Sequence, residues 1–131
     1  MSLPEREFTL LEAERRKCTF LETVTTPLDN VRVIWGRAEE QPTDAFGVAL
    51  AKALAKPPVA TELCLPLVAR GGAAILSLAA SAERGPVAAV AERLGARLED
   101  DIDGLVVLRK LRETPAGFPR RPGVAKKRPL A

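Results

Sequence analysis

Apolar residues along the chain fall alternately in short unbroken runs and in sets spaced three or four apart, the signatures of buried strands and amphipathic helices. Phe8, Leu10 and Leu11 form the first run, closed by Glu12. Glu14-Arg15-Arg16-Lys17 then opens a helical pattern with Cys18, Leu21 and Val24 on one face, which Pro27 stops near Thr26. Asn30-Val31-Arg32-Val33-Ile34-Trp35 predicts a second strand ending at Gly36, and Phe46-Gly47-Val48-Ala49-Leu50 a third, although the alanines of 46–56 also suit a helix. After Pro57-Pro58, the spacing of Val59, Leu63 and Leu67 predicts a helix ended by a turn at Arg70-Gly71-Gly72. Residues 73–78 are apolar on both faces, as in a buried parallel strand. Val87, Val90, Ala91 and Leu94 share a helix face capped by Gly95, and Leu105-Val106-Val107-Leu108 is a last strand paired with 97–101 across the acidic turn Asp101 to Gly104.

Strands and helices taking turns at this spacing predict an α/β fold with a twisted, mainly parallel sheet covered on both faces. The 131 residues are enough for one domain, and with 47% hydrophobic but only 4% aromatic residues its core must be built from Leu, Val, Ile and Ala. The division expected is a sheet domain over residues 1–111 and a tail over 112–131, where Pro115, Pro119, Pro122 and Pro129 stand among basic residues. Such a tail is expected to be extended or disordered in isolation.

Charge divides the chain close to the same place. From Arg109 onward eight Lys or Arg face one acid, Glu113, a balance of +7, while residues 1–108 carry −4. An acidic body with a basic tail predicts that a polyanionic partner meets the tail, with Arg120, Arg121, Lys126, Lys127 and Arg128 as phosphate contacts; a solvated basic terminus without a partner is the other reading. Phe118 is the only aromatic there, so the tail would position RNA and not read its bases.

The absence of His excludes a Ser-His-Asp hydrolase, and Cys18 and Cys64 match no metal spacing, so no metal is expected and both are read as reduced, packed thiols. No run is long enough to span a membrane and no leader pattern opens the chain, which points to the cytoplasm. Glycine-rich phosphate loops are absent after every strand. What remains are residues just beyond strand ends, where open α/β sheets bind ligands. Glu12 could accept hydrogen bonds from ribose hydroxyls; Ala38-Glu39 could bring backbone amides to an adenine edge; Lys52 could meet a carboxylate or phosphate. Each also has a bland reading as an exposed charge or a helix start.

The order of these pieces resembles a known family. Leu10-Leu11-Glu12-Ala13 with Arg15-Arg16-Lys17, then Asn30-Val31-Arg32-Val33 and Gly36-Arg37-Ala38-Glu39-Glu40, are similar to the middle of the bacterial small-subunit ribosomal RNA methyltransferase G family, also called glucose-inhibited division protein B. Glu62-Leu63-Cys64-Leu65-Pro66-Leu67, Phe118-Pro119-Arg120-Arg121-Pro122-Gly123 and Lys127-Arg128-Pro129-Leu130 resemble it too. The resemblance implies a class I, Rossmann-like sheet and transfer of a methyl group from S-adenosylmethionine to guanine N7 of small-subunit ribosomal RNA. It places Glu12, Ala13 and Glu14 by the cofactor ribose, Ala38 and Glu39 by the adenine, and Lys52 where the family usually has an Arg. The family's usual Lys after residues 73–78 is Ala79 here. The resemblance further implies that the chain begins at the family's second strand, without the first strand and its Gly-rich loop, so two sheet edges are left open. In the leading expectation that half is lost or supplied by a second chain; the alternative is a non-catalytic remnant that binds RNA or a partner.

Overall fold

The computed structural model describes residues 8–12, 19, 31–35, 37–52 and 56–131. Of the helix expected after Glu14 only Thr19 is described, and it is helical; Ala13, Glu14, Cys18 and Gly36 lie outside the described residues. The chain divides into two compact units, Met1–Ala38 and Glu39–Ala131.

In the first unit, β1 (Phe8–Glu12) and β2 (Val31–Trp35) pair in parallel, with Phe8 opposite Val31 and Glu12 opposite Trp35. Both strands stand where the apolar runs predicted them.

The second unit is built on four strands, β3 (Phe46–Lys52), β4 (Val68–Ser77), β5 (Ala96–Ile102) and β6 (Leu105–Lys110), in the order β3-β4-β6-β5. Only β3 and β4 run parallel; β6 lies antiparallel to both β4 and β5. The mainly parallel sheet expected from the sequence is therefore corrected to a mixed one. Its cause is the turn at Asp103 and Gly104: both have positive φ, 51° and 87°, the pair of left-handed residues that closes a two-residue hairpin between Ile102 and Leu105. A two-residue link cannot make the crossover that parallel strands need.

Helices α1 (Pro57–Cys64) and α2 (Arg84–Arg93) pack against each other, α1 also on β4 and α2 on β5. They cover the face carrying Ala74, Leu76, Val106 and Leu108, which are buried together with Leu65, Val68, Val87, Val90 and Leu94. Each such Leu or Val removed from water contributes about 1.5–3 kcal/mol before conformational entropy is charged against it. The opposite face holds the in-register row Leu50, Ile75 and Val107. There Leu50 is 72% exposed and Val48 55%, so among the described residues of this unit the cover expected on both faces is seen on one. Strand β3 ends the sheet, and its outer edge has no strand partner among the described residues.

The helix expected to reach Leu67 is α-helical only to Cys64 and tightens to a 3-10 turn over Leu65–Leu67. Pro66 has no N–H to continue the α ladder. The strand then begins at Val68, so Arg70-Gly71-Gly72 lies inside β4 and is not the turn expected. Between Phe46↔Val68 and Val48↔Ala73, one residue on β3 faces four on β4, a bulge for which Gly71 supplies φ +89°. Gly72 lies so close to the Gly47 carbonyl that a Cβ there would collide with it.

The carboxyl-terminal residues are not an extended, solvated tail. Residues 112–131 fold back on the sheet domain, Val124–Lys127 forms a short helix, α3, and Ala125 is 2% exposed. Phe118 and Leu130 pack on the core, and the Arg93 guanidinium lies 5.9 Å from the Phe118 ring centroid.

Candidate functional site

Two of the residues singled out for the cofactor stand at the carboxyl ends of parallel strands, Glu12 as the last residue of β1 and Lys52 as the last of β3, opposite Ser77. Ala38 and Glu39 begin a single 3-10 turn, Ala38–Glu40. The Glu39 carboxylate has a partner already: its Oε2 accepts a hydrogen bond from the Gly123 backbone N–H at 3.0 Å.

The five basic residues assigned to phosphates separate into two kinds. Arg121, Lys126, Lys127 and Arg128 are exposed. Arg120 instead donates from Nε and Nη2 to the two oxygens of Glu62, both at 2.6 Å, and from Nη2 to the Arg128 carbonyl at 2.8 Å. Glu62 sits in α1 and is 3% exposed, so the pair is a fork closed on a buried carboxylate, and it raises the Arg120 pKa. The structure gives Arg120 a task in holding the tail to α1.

Composition and charge marked Lys110 only as one of the basic residues near the end of the chain. Along β6, Val106, Leu108 and Lys110 point to the covered face, and the Lys110 side chain is 0% exposed. Its ammonium donates to the carbonyls of Leu65 and Val68 at 2.8 Å, to Thr114 Oγ1 at 2.9 Å and to Asp44 Oδ1 at 3.1 Å. Burial lowers the Lys110 pKa against the opposing pull of Asp44. For Asp44, burial acts upward but is outweighed by the Thr114 hydroxyl and the Lys110 ammonium, leaving its carboxyl below the usual value. The two-residue alternation of β6 was the signal that could have found Lys110.

Arg109, likewise counted as tail charge, forks onto Glu99 at 2.9 and 3.3 Å, and Arg84 joins Asp101 at 2.8 Å. Cys64 is a free thiol whose pKa is pushed up to about 11 by burial, which makes it a poor nucleophile. Among the described residues no buried side-chain polar atom lacks a partner, no cluster of His, Cys, Asp or Glu could hold a metal ion, and no helix is long and apolar enough to cross a membrane.

Comparison with known proteins places this architecture. Residues 1–93 match the sequence model of the GidB family, described as rRNA small subunit methyltransferase G. The chain is 35% identical to the Ribosomal RNA small subunit methyltransferase G of Clostridium botulinum (strain ATCC 19397 / Type A), across 95% of this chain and 60% of that protein. It is 38% identical to the protein of the same name from Symbiobacterium thermophilum, across 97% and 61%. It thus spans about three fifths of the length of these curated relatives. Among solved structures it resembles the O-methyltransferase NcsB1 from neocarzinostatin biosynthesis, crystallised with S-adenosylmethionine and 2-hydroxy-5-methyl naphthoic acid, with a TM-score of 0.55 and 16% identity over 80% of this chain and 42% of that one. The fold is that of a class I methyltransferase, and the match over most of its length means that the chain belongs to the rRNA small subunit methyltransferase G family.

Proposed function

We propose that the chain takes part in methylating guanine N7 of small-subunit ribosomal RNA, with S-adenosylmethionine as methyl donor. The observation that carries this reading is the placement of Glu12 and Lys52 at the carboxyl ends of parallel strands in a chain of this family, where open α/β sheets bind nucleotide cofactors. Glu12, with Ala13 and Glu14, serves the ribose hydroxyls; the backbone at Ala38 and Glu39 faces the adenine; Lys52 supplies positive charge. S-adenosylmethionine brings an activated methyl group, and guanine N7 brings its own lone pair, so alignment of the two can carry the catalysis without a protein nucleophile. Arg121, Lys126, Lys127 and Arg128 meet RNA phosphates, and cytoplasmic action belongs to the same reading.

Titration calorimetry with S-adenosylmethionine, with Glu12→Ala as the paired variant, tests it. The expected result is binding on the order of micromolar, weakened by the substitution. A folded chain without detectable binding would overturn the reading for the chain acting alone.

The second reading is a non-catalytic piece of this fold that binds RNA or a partner chain supplying the remaining strand. The outer edge of β3, without a strand partner among the described residues, and the exposed Val48 and Leu50 favour it. Retained RNA affinity alongside absent cofactor binding is the outcome that separates it from the first.

A further inference from the structure

The segment 39–45 leads into β3 and carries the turn that would meet the adenine edge. Two of its carboxylates bond to the carboxyl-terminal tail, each across most of the domain's sequence. Glu39 Oε2 accepts from the Gly123 N–H, 84 positions away. Asp44 Oδ1 accepts from the Thr114 hydroxyl at 2.8 Å and from the Thr114 N–H at 3.2 Å, 70 positions away. The tail therefore grips this segment at both ends.

Neither grip is a loose surface contact. Asp44 holds φ 52°, a left-handed conformation that costs a residue with a Cβ roughly 1–2 kcal/mol and persists only where neighbours over-determine it. Here they do. Its N–H donates to the Pro66 carbonyl at 2.8 Å, the next N–H, of Ala45, donates to Leu67 at 3.1 Å, and its carboxylate collects Thr114 and the buried Lys110 ammonium. On the tail side, Gly123 is held between Arg120, forked onto Glu62, and Ala125, sunk into the domain. Its φ of 86° is open to glycine and disfavoured for other residues. The N–H that reaches Glu39 is thus presented by a fixed backbone.

Resting on the cofactor reading above, we infer that the tail is a positioning element for the adenine-side turn, with Glu39 and Asp44 as positioning residues that act through Gly123 and Thr114. Glu39 contributes through the backbone it fixes by accepting the Gly123 N–H at Oε2. A turn that must meet an adenine edge with backbone amides has to be held to within a fraction of an ångström, and its own three-residue 3-10 helix is too short to do so. The tail supplies the rigidity that the local sequence lacks.

The test uses the full chain as wild type, Glu39→Ala and Glu39→Gln. Hydrogen exchange is followed in 39–45 and 115–128, and calorimetry compares S-adenosylhomocysteine with its inosine counterpart, which differs only at the base edge. With Glu39→Ala, exchange in 39–45 is expected to quicken about tenfold and the preference for the adenine ligand to fall about tenfold. Glu39→Gln, which keeps an acceptor oxygen for Gly123, is expected to restore both. A purely structural strap would lower both affinities equally and leave their ratio unchanged, which would overturn the inference. So would a Gly123 amide that exchanges faster while 39–45 stays protected. Failure of the wild type to bind either ligand sinks the cofactor reading, and the exchange data alone then uphold or refute the grip on the turn. Should Glu39→Ala not fold, Thr114→Val, which strips the hydroxyl from Asp44, is read in the same way.

Discussion

Arg120 and Glu62, 58 positions apart, close on each other through two hydrogen bonds of 2.6 Å, and Glu62 is 3% exposed. A residue that reads in sequence as one of a series of phosphate-binding cations is thus the counter-ion of a buried carboxylate. Arg120→Ala is expected to destabilise the chain by about 2–3 kcal/mol, less than a fully buried pair because Arg120 keeps some exposure, by leaving Glu62 charged and alone. Denaturant unfolding checks this. Arg121→Ala is the control, expected within about 0.5 kcal/mol of wild type. Equal stability of the two variants would remove the structural role of Arg120.

RNA affinity should fall as salt rises, and the dependence should belong to the exposed cations. Replacing Arg121, Lys126, Lys127 and Arg128 with Ala is expected to lower the slope of log affinity against log salt by about 0.7 for each single-strand phosphate that is no longer neutralised. Filter binding across a salt series measures it. An unchanged slope would take the tail out of RNA binding.

Acid should loosen the grip on Asp44. Its folded pKa lies below the ordinary 3.8, so the charged form is favoured in the native state. The stability it contributes is fully present above the unfolded value and is lost as pH falls through the folded one. Asp44→Asn is expected to cost about 2–3 kcal/mol near neutral pH, where Lys110 loses its charged partner, and to flatten the fall in stability below the carboxylate range. Unfolding curves recorded at descending pH test both statements; an acid dependence identical to wild type would contradict the assignment.

The close approach of β3 and β4 depends on the absence of a side chain at Gly72, where a Cβ would strike the Gly47 carbonyl and come within 2.8 Å of Val68 Cγ1. Gly72→Ala is expected to cost about 1–3 kcal/mol. At Gly85, in the first turn of α2, nothing lies within 4 Å, and Gly85→Ala is expected to gain about 0.4–1 kcal/mol by restricting the unfolded chain. Opposite signs in thermal unfolding would support the close approach; a neutral Gly72→Ala would refute it.

Much of the scaffold was legible in the sequence because its causes are local. The apolar runs closed by Glu12 and Trp35, the Pro57-Pro58 helix start, the Gly95 cap with φ 82° and the hairpin at Asp103-Gly104 each follow from the conformational preferences of a few adjacent residues. The strings from Leu10-Leu11-Glu12 to Lys127-Arg128-Pro129 likewise carried the family.

Tertiary structure alone decided what the polar groups do. The alternation of β6 turns Lys110 toward the interior, but nothing near it names Asp44 as its partner, nor does anything near Arg120 name Glu62, because hydrogen-bond pairing across 66 or 58 positions leaves no periodic trace in a sequence. Proline and positive charge made residues 112–131 look solvated. They are held instead by Glu62, Glu39 and Asp44, acids that count in composition only toward the negative balance of the body. A charge tells what a residue can bind, and the fold, by removing water around it, decides which partner it must have.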